Sequence, residues 1–578
     1  MLKREDDTPA VPTAPVTRVE PFASRTRVAY LSMEIALEPA VHTYSGGLGV
    51  LAGDTAYSAA DLNLPMVFVT LVTRQGYFRQ VIDADGNQTE EPDPWDPAAH
   101  AVPLGALVAV TLEGRSVWIR PWFYELKSPT GGRVPVLLLD TDVEQNDPVD
   151  RDITDHLYGG DETYRLKQEI VLGMGGPRIL QALGFDIRTF HMNEGHAALL
   201  TIELLNRFRR ALGRQLPHFS EYDYGRVRDM CVFTTHTPVE AGHDKFSYEL
   251  VNRIAGDLLQ NGDLKDLGGT DHLNMTKLAL NLSNYVNGVA RKHADTTRHM
   301  FPGYEVRSIT NGVHPGRWAH PAFCRIFDEN YPVWHVEPEA LNHVDSLPDE
   351  TIWQAHMTAK HELADLIRQR TGTSLDPDLP TLGYARRMTG YKRPGLLFRD
   401  PERLLAIAEK TPFQIVIAGK AHPRDATGKA AIHEILGISG RLADRLKIAY
   451  LPNYNLSVAR HIVSGVDIWL NTPMPPLEAS GTSGMKAALN GALNFSTLDG
   501  WWAEGCLDGV TGWAIGDGAP SEEDGEDLYR KLEGTILPLY HDDREKWIWM
   551  MKQSIGRIGS TFNTQRMMRR YGAEAYLR

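Results

Sequence analysis

Cysteine is scarce in this chain: Cys231, Cys324 and Cys506 are the only three in 578 residues, and they lie far apart. That excludes a disulfide framework and fits a reducing compartment, the cytoplasm. Long apolar runs are also missing. No stretch of 18 or more apolar residues occurs, so no membrane-spanning helix is expected. Tandem repeats and low-complexity blocks are absent. Positive charge is in deficit: the formal net charge is −14 at pH 7, which argues against nucleic acid as the main partner. His236 and His243-Asp244 are close in sequence, but their spacing matches no strong ligand signature, so no metal site is expected.

What is present suits a large enzyme. Apolar residues make up 42% of the chain, and the length is too great for one core, which favours two large domains. The charged start, Met1-Leu2-Lys3-Arg4, lacks the apolar segment of a secretory signal. Pro9, Pro12, Pro15 and Pro21 mark residues 1–24 as a loose tail. Beyond it, buried-strand runs (28–32, 66–70, 133–140, 189–192, 231–235) alternate with helical stretches (52–62, 165–183, 197–212). Residues 108–126 read as two strands split at Glu113-Gly114. The pattern restarts with strands at 382–385, 414–418, 447–451 and 466–470. Such alternation implies an α/β fold of parallel, right-handed βαβ units, arranged as two Rossmann-like domains facing a central cleft. The expected division is a first domain over 25–287, a second over 288–555, and a C-terminal helix over 556–578 that packs back on the first.

Three segments carry chemistry. Residues 478–490 read Glu-Ala-Ser-Gly-Thr-Ser-Gly-Met-Lys-Ala-Ala-Leu-Asn. An apolar setting depresses a lysine's pKa, and a neutral amine at Lys486 could condense with an aldehyde. The loop 480–484 could cradle an anion on its backbone N–H groups. Together these suggest pyridoxal phosphate. The same spacing also suits a loop–helix junction with a snorkelling lysine, and spacing alone leaves both open. The second segment, Arg386-Arg387-Met388-Thr389-Gly390-Tyr391-Lys392-Arg393, follows a strand-like run. Residues just past a strand's C-terminal end sit where open α/β sheets bind ligands, so a phosphate site is preferred over a solvated face. The third is the glycine loop Ser45-Gly46-Gly47-Leu48-Gly49, between a strand and a helix.

Taken in order along roughly 26–515, with Asn193-Glu194-Gly195-His196 and Val286-Asn287-Gly288-Val289-Ala290 between them, these motifs resemble the α-glucan phosphorylases. The length, and Asp499-Gly500-Trp501-Trp502 after the lysine, resemble the compact bacterial and archaeal branch. The resemblance implies a GT-B type fold with pyridoxal 5′-phosphate on Lys486. It places Arg386, Thr482, Ser483 and Gly47 at the cofactor phosphate, and Tyr454 and Asn455 beside the cofactor. Arg387 and Lys392 would hold substrate phosphate. His196 would contact the reacting glucose, and Asn287, Glu478, Ser480, Gly481 and Leu48 would bind it. His236 would lie toward the acceptor. The implied reaction is reversible, configuration-retaining phosphorolysis of an α-1,4-glucan or maltooligosaccharide by inorganic phosphate, giving glucose 1-phosphate, in a possible homodimer. The chain departs from the larger enzymes at Asn455 (an arginine there) and Ala36 (an aromatic there). Two alternatives stand beside this reading. A sugar-nucleotide transferase of the glycogen or starch synthase type is disfavoured by Tyr44 and Lys486, where those enzymes commonly carry lysine and glutamate. A non-catalytic glucan-binding homologue is disfavoured by the completeness of the motif set.

Overall fold

Two separate sheets form from the two runs of apolar segments. They are seen in a computed structural model that describes residues 19–209, 221–259 and 263–577. The first sheet has ten strands. Its parallel part runs in space Arg307–Ser308, Tyr285–Gly288, Cys231–Thr234, Thr189–Asn193, Val28–Ser32, Met66–Leu71, Arg133–Asp140. An antiparallel edge follows, built on Arg115–Lys127. Val28–Ser32 and Met66–Leu71 are buried at every position, because helices cover both faces of a parallel sheet. This explains why they read as continuous apolar runs. Strand order reverses between Val28–Ser32 and Thr189–Asn193, which leaves a crevice past their C-terminal ends.

The second sheet has six parallel strands: Ile448–Leu451, Gln414–Ala418, Thr381–Ala385, Ile468–Asn471, Leu493–Thr497, Gly512–Ile515. Its order reverses between Thr381–Ala385 and Ile468–Asn471. A buried ionic cluster pins this point. Asp467 accepts from the Lys360 ammonium (2.7 Å), the Thr381 N–H (2.7 Å) and the His356 ring (2.9 Å). Burial alone would raise the Asp467 pKa, but Lys360 and His356 outweigh it and hold it at about 2. Replacing one partner of such a cluster strands a buried charge. Asp467→Ala is therefore expected to destabilise the second sheet by about 3–5 kcal/mol, read as a lower urea midpoint. An unmoved midpoint would remove the cluster from the stability account.

Several boundaries differ from the sequence expectation. The helix expected over 52–62 spans Gly47–Asp61 and takes in the end of the glycine loop. The stretch 165–183 is not one α-helix: Glu162–Ile170 and Gly176–Ala182 flank a wide turn, Val171–Gly175. The helix expected over 197–212 is seen as Leu199–Arg207, and 210–212 lie outside the described residues. Of the expected tail, 1–18 lie outside the described residues, but Glu20–Ala23 is helical and Val19 and Phe22 are buried. The division at 287/288 cuts the strand Tyr285–Gly288, and the first sheet continues to Ser308 because Arg307–Ser308 adds to its edge. The chain's last elements, Thr564–Tyr571 and Gly572–Tyr576, lie against the first sheet. Tyr576 bonds His191 (2.7 Å), and Tyr571 bonds Thr234 and Asn287 (both 3.0 Å).

Candidate active site

At the second sheet's reversal point, Thr381–Ala385 ends and delivers Arg386 directly to Glu478. The Arg386 guanidinium donates to Glu478 Oε2 at 2.9 Å, and the Lys392 ammonium donates to the same oxygen. All three side chains are buried. Burial alone would raise the Glu478 pKa, but the two cations outweigh it and lower it. Lys392 is pulled down to about 8, by burial first and then by Arg386. The cluster has unused capacity. Arg386 Nε and Nη1 and the Ser480 hydroxyl are buried with no hydrogen-bond partner. Buried donors are nearly always paired, so an unpaired set next to two cations marks a place for an oxyanion.

Arg387 behaves differently. It is exposed and makes no hydrogen bond or ion pair among the described residues. Its guanidinium lies over the glycine loop: a Cβ at Gly46 would sit 3.0 Å from Arg387 Nη2. Glycine at 46 thus lets a cation of the second sheet approach a loop of the first. The loop itself is wrapped on Glu34, which follows Val28–Ser32. Glu34 Oε2 accepts the N–H groups of Ser45 (2.5 Å) and Gly46 (3.1 Å). The helix Gly47–Asp61 starts there with no side-chain cap, so its partial positive charge and first N–H groups remain available to an anion.

The same helix supports Lys486 further along. Asp54 accepts from Arg317 Nη1 (3.0 Å) and from the Trp318 indole N–H (2.8 Å). The Lys486 ammonium lies over the Trp318 ring, 4.0 Å from its centroid. From Gly47 to Asp54 the helix rises about 10 Å, so one rigid element spaces the anion end of the site from the amine end. Lys486 is buried in the short helix Ser483–Ala488, and its ammonium makes no hydrogen bond or ion pair among the described residues. Burial lowers its pKa to about 8. Its proton therefore leaves as pH rises through about 8, whereas an exposed lysine holds its proton to about 10.4. In protein freed of any adduct, trace acetylation of Lys486 read by mass spectrometry should reach half its plateau near pH 8. A profile that follows the exposed lysines would count against a desolvated amine.

The other expected residues distribute unevenly. Ser480 and Gly481 adjoin Glu478 on a loop fixed from behind: Asp499 accepts the Glu478 N–H (2.8 Å), and Trp501 N–H donates to the Ser480 carbonyl (2.9 Å). Gly481 is in the left-handed region (φ +79), where a Cβ would also press on Glu478 at 3.1 Å. Thr482 and Ser483 open the lysine helix, and the Ser483 hydroxyl accepts from Trp469 (3.2 Å). Gly47 faces open space and Leu48 is half-buried. Tyr454 is half-buried at the core's edge, and burial raises its pKa. Asn455 is occupied as the cap of Leu456–Gly465, accepting the Val458 N–H (3.0 Å). His196 stands past Thr189–Asn193, held by Arg165 (3.0 Å) and Asp244 (3.3 Å), with Nδ1 buried and unpartnered. His236 bonds Asn193 (2.6 Å), and its N–H donates to Glu194 (2.6 Å). Asn287 lies at the end of Tyr285–Gly288 and is buried. Its amide donates to Gly288 O and Tyr571 OH and accepts from Thr234, so no donor is left for a sugar.

Sequence reading missed Glu34 as the loop's anchor, Asp54, Arg317 and Trp318. It also missed Asn490, which donates to the carbonyls of Trp318 and Lys486 (both 2.9 Å). Among the described residues, no helix is long and apolar enough to cross a membrane, and no three His, Cys, Asp or Glu side chains gather as metal ligands.

Comparison with known proteins shows the family. The family profile of carbohydrate phosphorylases matches residues 239–504, which span Arg386, Arg387, Lys392, Glu478 and Lys486. The maltodextrin phosphorylase of Thermococcus litoralis is 40% identical over 95% of this chain and 70% of its own length. The glycogen phosphorylase of Mycobacterium tuberculosis is 37% identical over 95% of this chain and 71% of its own. An uncharacterized protein of Methanocaldococcus jannaschii is 31% identical over 95% of this chain and 99% of its own, so the shorter length is shared. With identities of this size running through both sheets, the chain belongs to the carbohydrate phosphorylase family.

Proposed function

We propose that this chain is an α-glucan phosphorylase, transferring the terminal glucosyl unit of an α-1,4-glucan to inorganic phosphate with pyridoxal phosphate as cofactor. The observation that carries the reading is a buried, unpartnered amine at Lys486, on the same segment as a carboxylate that gathers two cations. The residues fit the cofactor. Lys486 would hold its aldehyde carbon, with Trp318 against that end of the site. The unpaired nitrogens of Arg386, the open start of Gly47–Asp61, and Thr482 and Ser483 would hold its phosphate. Asn455 uses its side-chain oxygen as the cap of Leu456–Gly465, and its amide N–H groups would face the cofactor. When bound, the cofactor supplies a phosphate monoester with a second pKa of about 6, able to exchange a proton near neutrality.

The chain's own residues do the rest. Arg387, exposed and unpaired among the described residues, would take inorganic phosphate together with Lys392, whose ammonium feels its charge. Both cations on Glu478 fall on Oε2, which leaves Oε1 as an acceptor for glucose hydroxyls. Arriving phosphate competes with Glu478 for Lys392, so phosphate binding and sugar binding share a switch in hydrogen bonding. Burial of Arg386, Lys392, Glu478 and Lys486 keeps bulk water from competing with phosphate for the anomeric carbon. The test is direct: cofactor-saturated protein, a maltodextrin and phosphate, with product followed by NMR. α-Glucose 1-phosphate is expected. Glucose transfer from a nucleotide sugar, with no phosphorolysis, would overturn the proposal.

A further inference from the structure

A cavity of about 530 Å³ opens where the chain's last helices meet the end of the first sheet, and its charge opposes that of the whole chain. Arg291, Arg557, Arg566 and Arg570 line it, and Glu504 is the one carboxylate in its wall. In a protein of net charge −14, four arginines to one carboxylate ask for a counter-charge. Glu504 supplies it to Arg291 alone. Its oxygens take the Thr310 hydroxyl (2.9 and 3.0 Å) and the Arg291 N–H (3.0 Å), with the Arg291 guanidinium at 3.4 Å. Arg570 is paired outside the wall, with Glu574 (2.7 Å).

Arg557 and Arg566 have no carboxylate within ion-pair distance among the described residues. Arg557 spends Nε on the Gln553 amide oxygen (2.8 Å). Arg566 donates Nη2 to the carbonyls of Thr310 (2.6 Å) and Asn311 (3.2 Å), while its Nε is buried without a partner. Burial, then Arg570, lowers the Arg566 pKa to about 10, as expected of a cation short of counter-charge. Guanidinium forks match the oxygens of a phosphate, and the volume lies in the range of small-molecule sites.

We propose that this cavity binds a small phosphomonoester, its phosphate between Arg557 and Arg566 and its polar body against Asn342 and Thr561. The site shares no residue with the Arg386–Glu478–Lys486 cluster. It is nonetheless close to it in structure. Phe562 in the cavity wall lies edge-on to Trp501, ring centroids 5.0 Å apart, and Trp501 holds the Ser480 carbonyl. A ligand there bears on the segment that presents Glu478.

Calorimetric titration of the cofactor-loaded Arg387→Ala protein with glycerol 3-phosphate and, separately, with sulfate tests this. The background variant weakens the catalytic phosphate site, so the cavity's signal stands out. Glycerol 3-phosphate should bind more tightly than sulfate, and adding Arg557→Glu should weaken it at least about tenfold, with Arg557→Lys, which keeps the charge but not the fork, retaining only part of it. Arg557 is exposed, so folding should survive, and Arg557→Ala provides a second variant. No binding, equal binding of the two anions, or binding indifferent to both Arg557→Glu and Arg557→Ala would overturn the proposal.

Discussion

Lys486→Ala should yield a folded protein without near-visible cofactor absorbance and with phosphorolysis reduced by roughly three orders of magnitude or more, the scale of losing a residue that acts as part of a unit. The expectation rests on the environment of the amine. Lys486 lies over Trp318, has no carboxylate within ion-pair distance among the described residues, and is held near pKa 8. A lysine kept for structure would have a counter-ion, as Lys360 has in Asp467. Removing a buried, uncompensated cation also removes a desolvation cost, so the cofactor-free variant should melt no lower than the cofactor-free parent. Loss of absorbance with stability kept would separate a cofactor role from a packing role. Lys486→Arg sharpens the comparison, because it keeps the charge but not a nucleophilic amine. Full activity in Lys486→Ala would sink the covalent reading.

The sequence was legible where one face of physics dominated. Fully buried strands such as Val28–Ser32 and Gln414–Ala418 announced themselves as apolar runs, because helices cover both faces. No strand is expected from the sequence at Leu493–Thr497 or Gly512–Ile515, although both are buried at every position. The segment 478–490 was legible because its chemistry is local. What could not be read was partnership at long range. Asp54 meets Arg317 and Trp318 across more than 260 positions, and no local pattern marks Asp54 within an alanine-rich helix. Nothing in Val286-Asn287-Gly288 foretells that Tyr571 returns to take the Asn287 amide. Asn455, just before a helix, also serves as its cap, a use that the local text allows but the resemblance does not name. The glycine loop showed the reverse error. Propensity disfavours a helix starting at glycine, and the start at Gly47 follows from Glu34 fixing the two preceding N–H groups.

Arg387→Ala should raise the KM for phosphate by about 10- to 100-fold and leave the KM for glucan within about threefold, the cost expected for losing a charge-assisted, two-pronged contact. Two phosphoryl groups brought into one site repel by about 4 kcal/mol per unit-charge pair at 4 Å and an effective dielectric near 20. Arg386 and Lys392 are already engaged by Glu478, whereas Arg387 has no partner, so the free cation bears most of that task. The pH profile adds a check that mere misfolding would not reproduce. Lys392 titrates near 8, and Arg387 is one of the charges that lower it. Phosphate affinity in the parent should therefore fall as pH rises through about 8, when Lys392 loses its proton. Without Arg387 the Lys392 pKa moves up, so the alkaline fall should shift to higher pH even as affinity drops overall. Arg387→Lys should keep the charge, lose the bidentate geometry, and recover only part of the affinity. An Arg387→Ala enzyme with unchanged phosphate kinetics and an unmoved alkaline limb would place the phosphate elsewhere.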